Sequence, residues 1–349
     1  MQITHCQITS IQLKRAQPVR LAGNPPVDSI GAIFVRLETR DRRNAWGCGI
    51  AHPHLTGEQF EEAVRVAQKC AELAPDLHPT NLEYSLAMLA PLVKDHPAVS
   101  CAFDLAFYDL LGLAADMPLY RLLGGFRNRI QTSATIPIGP VKASVQGACE
   151  QAQLGFRMLK IKGGEDPKED VQRVLAIHHA LPNHALRLDG DGGYTVREAL
   201  EVSEALKEAL EMLEQPTPPG DLEGLRQVTK NSAVPILADQ SVSGPAAALE
   251  LATTHAVDGL SVKVAACGGL QQARLVNDIA RAAHLATQVS CLIEPGLLIA
   301  AGLSLALSSP NVQFADLDGA LGLLNDPTRP GHHLEDGWLV ASEIPGLGC

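Results

Sequence analysis

The segment LRLDGDGGYTVREALEVSEALKEALEMLEQP (residues 186–216) decides the fold of this chain. A short apolar run ends on a charged residue, Asp189, and a glycine-rich turn follows. A helix then opens with the capping box T-x-x-E at Thr195 and Glu198. A second short apolar run ends on Glu214, 25 residues after Asp189. Outward from this segment the same unit recurs. LKIKGG (159–164) ends a strand on Lys160 and Lys162, ILADQ (236–240) ends one near Asp239, and LSVKV (260–264) ends one on Lys263. From Lys162 to Lys263 the charged stations are spaced 27, 25, 25 and 24 residues apart, about one strand plus one helix each.

Strand candidates lie at 132–138, 158–161, 185–188, 212–213, 236–238, 260–262, 289–293 and 312–315, with helices between them. This alternation predicts an α/β fold with a parallel sheet, and eight candidates predict a closed (β/α) barrel of the TIM type. The C-terminal strand ends of such a barrel converge on one face, which carries the chemistry. Ahead of the barrel, residues 3–14 alternate loosely and AIFVRLE (32–38) reads as a strand, with Gly23-Asn24-Pro25-Pro26 as a loop between them. T-x-x-Q at Thr56 predicts a capped helix with Phe60, Val64, Ala67 and Ala71 on its apolar face. Residues 102–115 form a second helix, apolar nearly all round and therefore buried. Gly124-Gly125 marks a break. The expected domains are an α+β domain of residues 1–125, joined by about 320–349, and a barrel of residues 126–319. The last 30 residues, with Pro327, Pro330 and Pro345, hold no further βα unit.

Bulk properties narrow the function. A net charge of −11 argues against a nucleic-acid partner, which calls for basic stripes. The most apolar stretch, 292–307, is broken by Glu294-Pro295 and is too short for a membrane span. The eight scattered cysteines form no CxxC pair, and the N-terminus lacks an apolar signal core, so reduced thiols and a cytoplasmic location are expected.

Asp189, Glu214 and Asp239 offer three hard oxygen donors from three consecutive strand ends. Burying them together without a cation is costly, and oxygen-only ligation suits Mg²⁺. Taken singly, each acid also reads as a helix cap or a surface ion pair; the spacing favours the shared site. Lys160 and Lys162, two apart, point to the same side of their strand, and Lys263 comes from across the barrel. A lysine near Mg²⁺ and a second lysine loses its proton more readily and can act as a general base. Asp316 and Asp318, in QFADLDG, form a second acidic pair that either holds a substrate ammonium group or caps the loop at Gly319. Glu294 is either a polar neighbour of Lys263 or a strand-end charge. DGDGG (189–193) imitates an EF-hand start, but position twelve is Leu200, which excludes one.

At these residues the chain resembles the enolase superfamily, and within it the muconate-cycloisomerase-like subgroup. The K-x-K of Lys160 and Lys162, the spaced Asp189, Glu214 and Asp239, and Lys263 match that subgroup's pattern, as do Trp46-Gly47 and the LLGG boundary at 122–125. The D-x-D of Asp316 and Asp318, the TSATI segment (132–136) that contains Thr135, and the PGLG ending (345–348) are similar to the dipeptide epimerases. The resemblance implies a capping domain over a modified barrel, and Mg²⁺ at Asp189, Glu214 and Asp239. It implies abstraction of a proton α to a carboxylate through an enediolate, with Lys162 and Lys263 on opposite faces and Lys160 in support. Asp316, Asp318, Thr135 and Glu294 are then expected to bind a small carboxylate substrate, a dipeptide, with specificity in the loop at 19–29. N-acylamino-acid racemisation or muconate lactonisation on the same scaffold, and a binding protein without catalysis, are the rival readings; a homo-oligomer is compatible with all of them. Four residues depart from the pattern: Gln240 stands for the usual Glu, Asp191 for Asn, Cys48 for Glu and Pro295 for Ser or Thr.

Overall fold

The computed structural model describes all residues except Leu21, Asn24 and Pro330, so the loop expected at Gly23-Asn24-Pro25-Pro26 lies partly outside the described residues. The chain opens with β1 (Ile3–Val19), β2 (Val27–Thr39) and β3 (Asn44–Ala51), an antiparallel sheet in the order β1-β2-β3. The apolar alternation of β2 buries Ile33, Val35 and Leu37 against helices α1 (Phe60–Leu73), α2 (Leu82–Val93) and α3 (Pro97–Ala115). Backbone contact between α3 and β3 is close enough to demand glycine. A Cβ on Gly47 would meet Ala102 O at 1.9 Å, and one on Gly49 would meet Ala98 O at 1.8 Å.

Helix α3 is as buried as its sequence predicts. Among the described residues it is the one helix long and apolar enough to cross a membrane, and 72% of that window is buried inside the protein. Its acids are helix caps and ties. Asp104 accepts from Leu270 N at 2.6 Å, and Asp109 accepts from Trp46 N at 2.8 Å and Leu347 N at 2.7 Å. The capping box expected at Thr56 does not form. Gln59 is the N-cap of α1, and the Thr56 hydroxyl instead closes the preceding turn by bonding the backbone of His52.

A one-turn helix, α4 (Leu119–Leu122), and β4 (Arg129–Gln131) lead into the barrel. Its strands are β5 (Ser133–Ile136), β6 (Met158–Lys162), β7 (Ala185–Asp189), β8 (Leu210–Glu214), β9 (Ile236–Ala238), β10 (Gly259–Lys263), β11 (Ala286–Ser290) and β12 (Val312–Asp316). Between consecutive strands run α5 (Val141–Gln153), α6 (Pro167–Ala180), α7 (Val196–Ala205), α8 (Leu222–Asn231), α9 (Pro245–Thr253), α10 (Leu270–Ala282) and α11 (Gly296–Ser308). The eight strands form one parallel sheet from β5 to β12, as the sequence predicts. Side chains close the seam between its two edges: Leu317 N donates to Thr132 Oγ1 at 2.8 Å, Ser133 Oγ to Asp316 at 2.6 Å, and Thr135 N to Asp318 at 2.7 Å.

Strand β11 sits three residues earlier than the apolar run at 289–293 suggests. Gln288 and Ser290 point into a polar barrel interior against Glu214 and Ser261, and Thr287 on the other face accepts from Asn311, so the strand does not read as apolar. Residues after 319 touch both halves of the chain. Leu324 N bonds Lys14 O and Gly346 N bonds Met117 O, while the hairpin of β13 (His332–Glu335) and β14 (Trp338–Ala341) pairs with β4. Of the prolines noted in this tail, Pro330 lies outside the described residues.

Candidate active site

Parallel register aligns the charged strand ends. Lys162 pairs with Asp189 across β6 and β7, and Asp189 with Glu214 across β7 and β8. Asp239 follows β9 directly, and its backbone N–H donates to Gln215 Oε1 at 2.9 Å. Gln215, fully buried, also accepts from Ser241 N and donates to Thr217 O, so one amide fixes the turn that presents Asp239. The sequence reading missed Gln215; its place beside Glu214 at a strand end was the available signal.

Donor oxygens of Asp189, Glu214 and Asp239 lie within 4.8 Å of one another, and all three residues are buried. Three ammonium groups face them. Lys160 Nζ lies 2.9 Å from Asp189, 3.0 Å from Glu214 and 2.7 Å from Asp316. Lys162 Nζ lies 2.8 Å from Asp189 and 3.0 Å from Asp191, and Lys263 pairs with Asp239. Glu214 Oε1 is buried with no partner. Burial raises the Glu214 carboxyl to about 7, with Asp189 and Asp239 adding to the effect and Lys160 opposing it. An orphaned oxygen in a cluster of hard carboxylates is the donor set a divalent cation satisfies.

Without a cation, the carboxylates hold the lysines charged. Burial pulls Lys162 down, but Asp189 and Asp191 outweigh it together with Lys160's repulsion, and its pKa rises above the usual lysine value. Lys160 and Lys263 shift the same way, because nearby carboxylates overcome the desolvation of each. The expectation of easier proton loss applies with Mg²⁺ beside these carboxylates, whose charge would oppose theirs.

Beneath the cluster, Arg187 and Gln288 fill the barrel. Arg187 donates to Gln288 Oε1 at 3.2 Å and stacks 4.9 Å from the Phe314 ring, and Gln288 Nε2 donates to Glu214 Oε2 at 3.0 Å. Across the mouth, Asp316 accepts from Lys160 and Ser133, and Asp318 accepts from Thr135 N. Burial and Asp316 raise Asp318 to about 6. Thr135 therefore seats Asp318 through its backbone. Glu294 is buried four residues past β11 and makes no ion pair among the described residues; burial lifts it to about 8, while Leu292 N and Lys263 pull it down. It is not the cap of a strand.

Residues 143–349 match the family model described as enolase C-terminal domain-like. The chain belongs to the enolase superfamily. It is 33% identical over 348 residues to a hydrophobic dipeptide epimerase from Enterococcus faecalis, covering 99% of this chain and 98% of that one. It is also 33% identical to an L-Lys-D/L-Arg epimerase from Methylococcus capsulatus, covering 100% and 99%. Among solved structures, a dipeptide epimerase from Enterococcus faecalis complexed with Mg and L-Leu-L-Tyr superposes with a TM-score of 0.96 at 32% identity, covering 100% of this chain and 99% of that one. The superfamily fold, a barrel with an antiparallel N-terminal sheet, is the one described above.

Proposed function

We propose that this enolase-superfamily chain is a Mg²⁺-dependent isomerase that epimerises dipeptides by moving the proton α to a carboxylate. The carrying observation is the buried trio with its unpartnered Glu214 oxygen, flanked by lysines from β6 and β10 and faced by Asp316 and Asp318 from β12. Asp189, Glu214 and Asp239 would hold Mg²⁺, which would supply positive charge against the negative charge developing on the substrate carboxylate and, by engaging the carboxylates, would ease proton loss from the lysines.

Lys162 and Lys263 remove and return the α-proton from opposite faces, one neutral and one protonated at a time. Lys160, buried among three carboxylates, supports the negative charge that develops on the substrate. Asp316 and Asp318 take the free α-ammonium of the dipeptide, with Thr135 holding Asp318 in place. Glu294 lines the Lys263 side. Residues 1–125 and about 320–349 form the capping domain over the barrel of 126–319, a division supported by the tail's bonds to Lys14 and Met117.

An N-acyl group would meet two carboxylates at the D-x-D and be repelled. The test compares free dipeptides with their N-acetylated forms and with N-succinyl amino acids, with Mg²⁺ present. Free dipeptides are expected to turn over and their acetylated forms to fail. Equal turnover of N-acylated amino acids would replace this reading with an N-acylamino-acid racemase.

A further inference from the structure

Two of the departures from the superfamily pattern, Asp191 and Gln240, lie 49 residues apart in sequence and touch in the structure. Gln240 Nε2 donates to Asp191 Oδ1 at 3.0 Å, and the same oxygen accepts from Lys162 Nζ at 3.0 Å. The Asp191 side chain is 7% exposed. Its backbone is left-handed, at φ 46, a conformation that Asp tolerates better than most residues. Its N–H donates to Asp189 Oδ1 at 3.0 Å, which ties residue 191 to the trio's own turn. The contact is therefore built from three sides.

Taken separately, the two changes add and remove a charge. Together they conserve both the charge and the hydrogen bond. Asn opposite Glu would donate from residue 191 to residue 240; Asp opposite Gln reverses the donor, and Asp191 Oδ1 accepts from both Gln240 and Lys162. The one carboxylate of the pair is in direct contact with Lys162. That matters because Asp189, the other acceptor of Lys162, also belongs to the trio and is shared. A lysine has a long flexible stem, and an acceptor outside the trio, itself held by Gln240, restricts where its ammonium rests. Among the described residues Lys263 has no hydrogen-bonded acceptor outside the trio: its partner is Asp239 itself.

We propose that Asp191 and Gln240 form one positioning unit for Lys162, whose task is to keep an oxygen of residue 191 turned toward that ammonium. The proposal rests on the epimerase reading for its kinetic consequence but not for its geometry. It makes the two proton-transfer lysines unequal, since only the face served by Lys162 depends on the unit.

The test is a double-mutant cycle of Asp191→Asn and Gln240→Glu in the full-length protein at saturating Mg²⁺. Solvent deuterium exchange is measured separately from each stereoisomer of a dipeptide, the Lys162 face being the one that Lys162→Ala silences. Gln240→Glu alone sets two carboxylates against each other; it is expected to lower Tm and to slow the Lys162 face roughly tenfold more than the other. Adding Asp191→Asn restores a matched pair, so the double variant is expected to regain most of both losses. Additive effects, or equal slowing of the two faces, would overturn the proposal. If the unaltered enzyme exchanges no dipeptide, the epimerase reading falls and the crystal structure of Gln240→Glu decides the pairing. Displacement of the Lys162 ammonium from residue 191 supports the unit, and an unmoved ammonium refutes it.

Discussion

Two groups of carboxylates share the mouth of this barrel and are held by different means. Asp189, Glu214 and Asp239 face three lysine ammonium groups, and one of their oxygens, on Glu214, has no partner. Asp316 and Asp318 rest largely on neutral donors, the Ser133 hydroxyl and the Thr135 N–H, with Lys160 the one cation in ion-pair contact among the described residues. The first group carries more negative charge than fixed neutral donors satisfy, which is the condition for a divalent cation. The second is oriented by Ser133 and Thr135, and the proposed function gives it a single substrate ammonium to hold. On the proposed function the two groups differ in what would complete them, a dication in one case and a monocation in the other.

Removing one of the three metal donors should have the largest effect. Asp239→Asn is expected to abolish Mg²⁺ binding by calorimetry and to lower activity by several kcal/mol of transition-state stabilisation, about 10³-fold or more. The protein should stay folded, because the apolar barrel core does not depend on the ion. Next, Lys162→Ala and Lys263→Ala should each reduce epimerisation by about 10²–10⁴-fold, each silencing deuterium exchange from a different stereoisomer. Exchange from both stereoisomers surviving in either variant would remove the two-sided arrangement.

At the acidic pair the expected loss is smaller and selective. Asp316→Asn with Asp318→Asn should lower kcat/KM for a free dipeptide by roughly 10–100-fold, as for a lost charged hydrogen bond. The already weak turnover of the N-acetylated dipeptide should change much less. A loss of equal size for both substrates would mean that the pair acts through Lys160 and the seam rather than through the ammonium.

Asp104 extends the comparison to a carboxylate held by backbone alone. It caps α10 from α3, and burial raises it to about 7 from 3.8, with the Leu270 and Gln271 N–H groups opposing. An acid whose folded value is raised binds more protons when folded than when unfolded between those two values. Its contribution therefore falls as pH rises through that window and levels off above it. Asp104→Ala should cost about 1–2 kcal/mol at pH 5 and less at pH 8, read from denaturant melts of the two proteins.

Barrel and site were legible because each charged residue follows a short apolar strand at a near-constant interval. That rule fails where a strand is polar inside. Gln288 lies between Arg187 and Glu214, so β11 hides its start and Glu294 falls beyond its end. Local capping rules also misled at Thr56, whose hydroxyl found a nearer partner in His52. The remaining features join residues far apart in sequence. Asp104 reaches Leu270, Thr135 reaches Asp318, and Gln240 reaches Asp191, contacts that no spacing within one element encodes. Gln240 and Asp191, two separate departures in the sequence, meet in one hydrogen bond.

The central claim is that a metal-dependent α-proton transfer on dipeptides occurs in this barrel. The most direct measurement incubates the enzyme with a panel of L,L-dipeptides in D₂O, with Mg²⁺ and again after exhaustive chelation. Mass and stereochemistry of the products are then read together. The account predicts one deuterium per inverted centre with Mg²⁺ and none after chelation. Deuterium incorporation that persists after chelation, or a panel left untouched while N-acylated amino acids exchange, would contradict it.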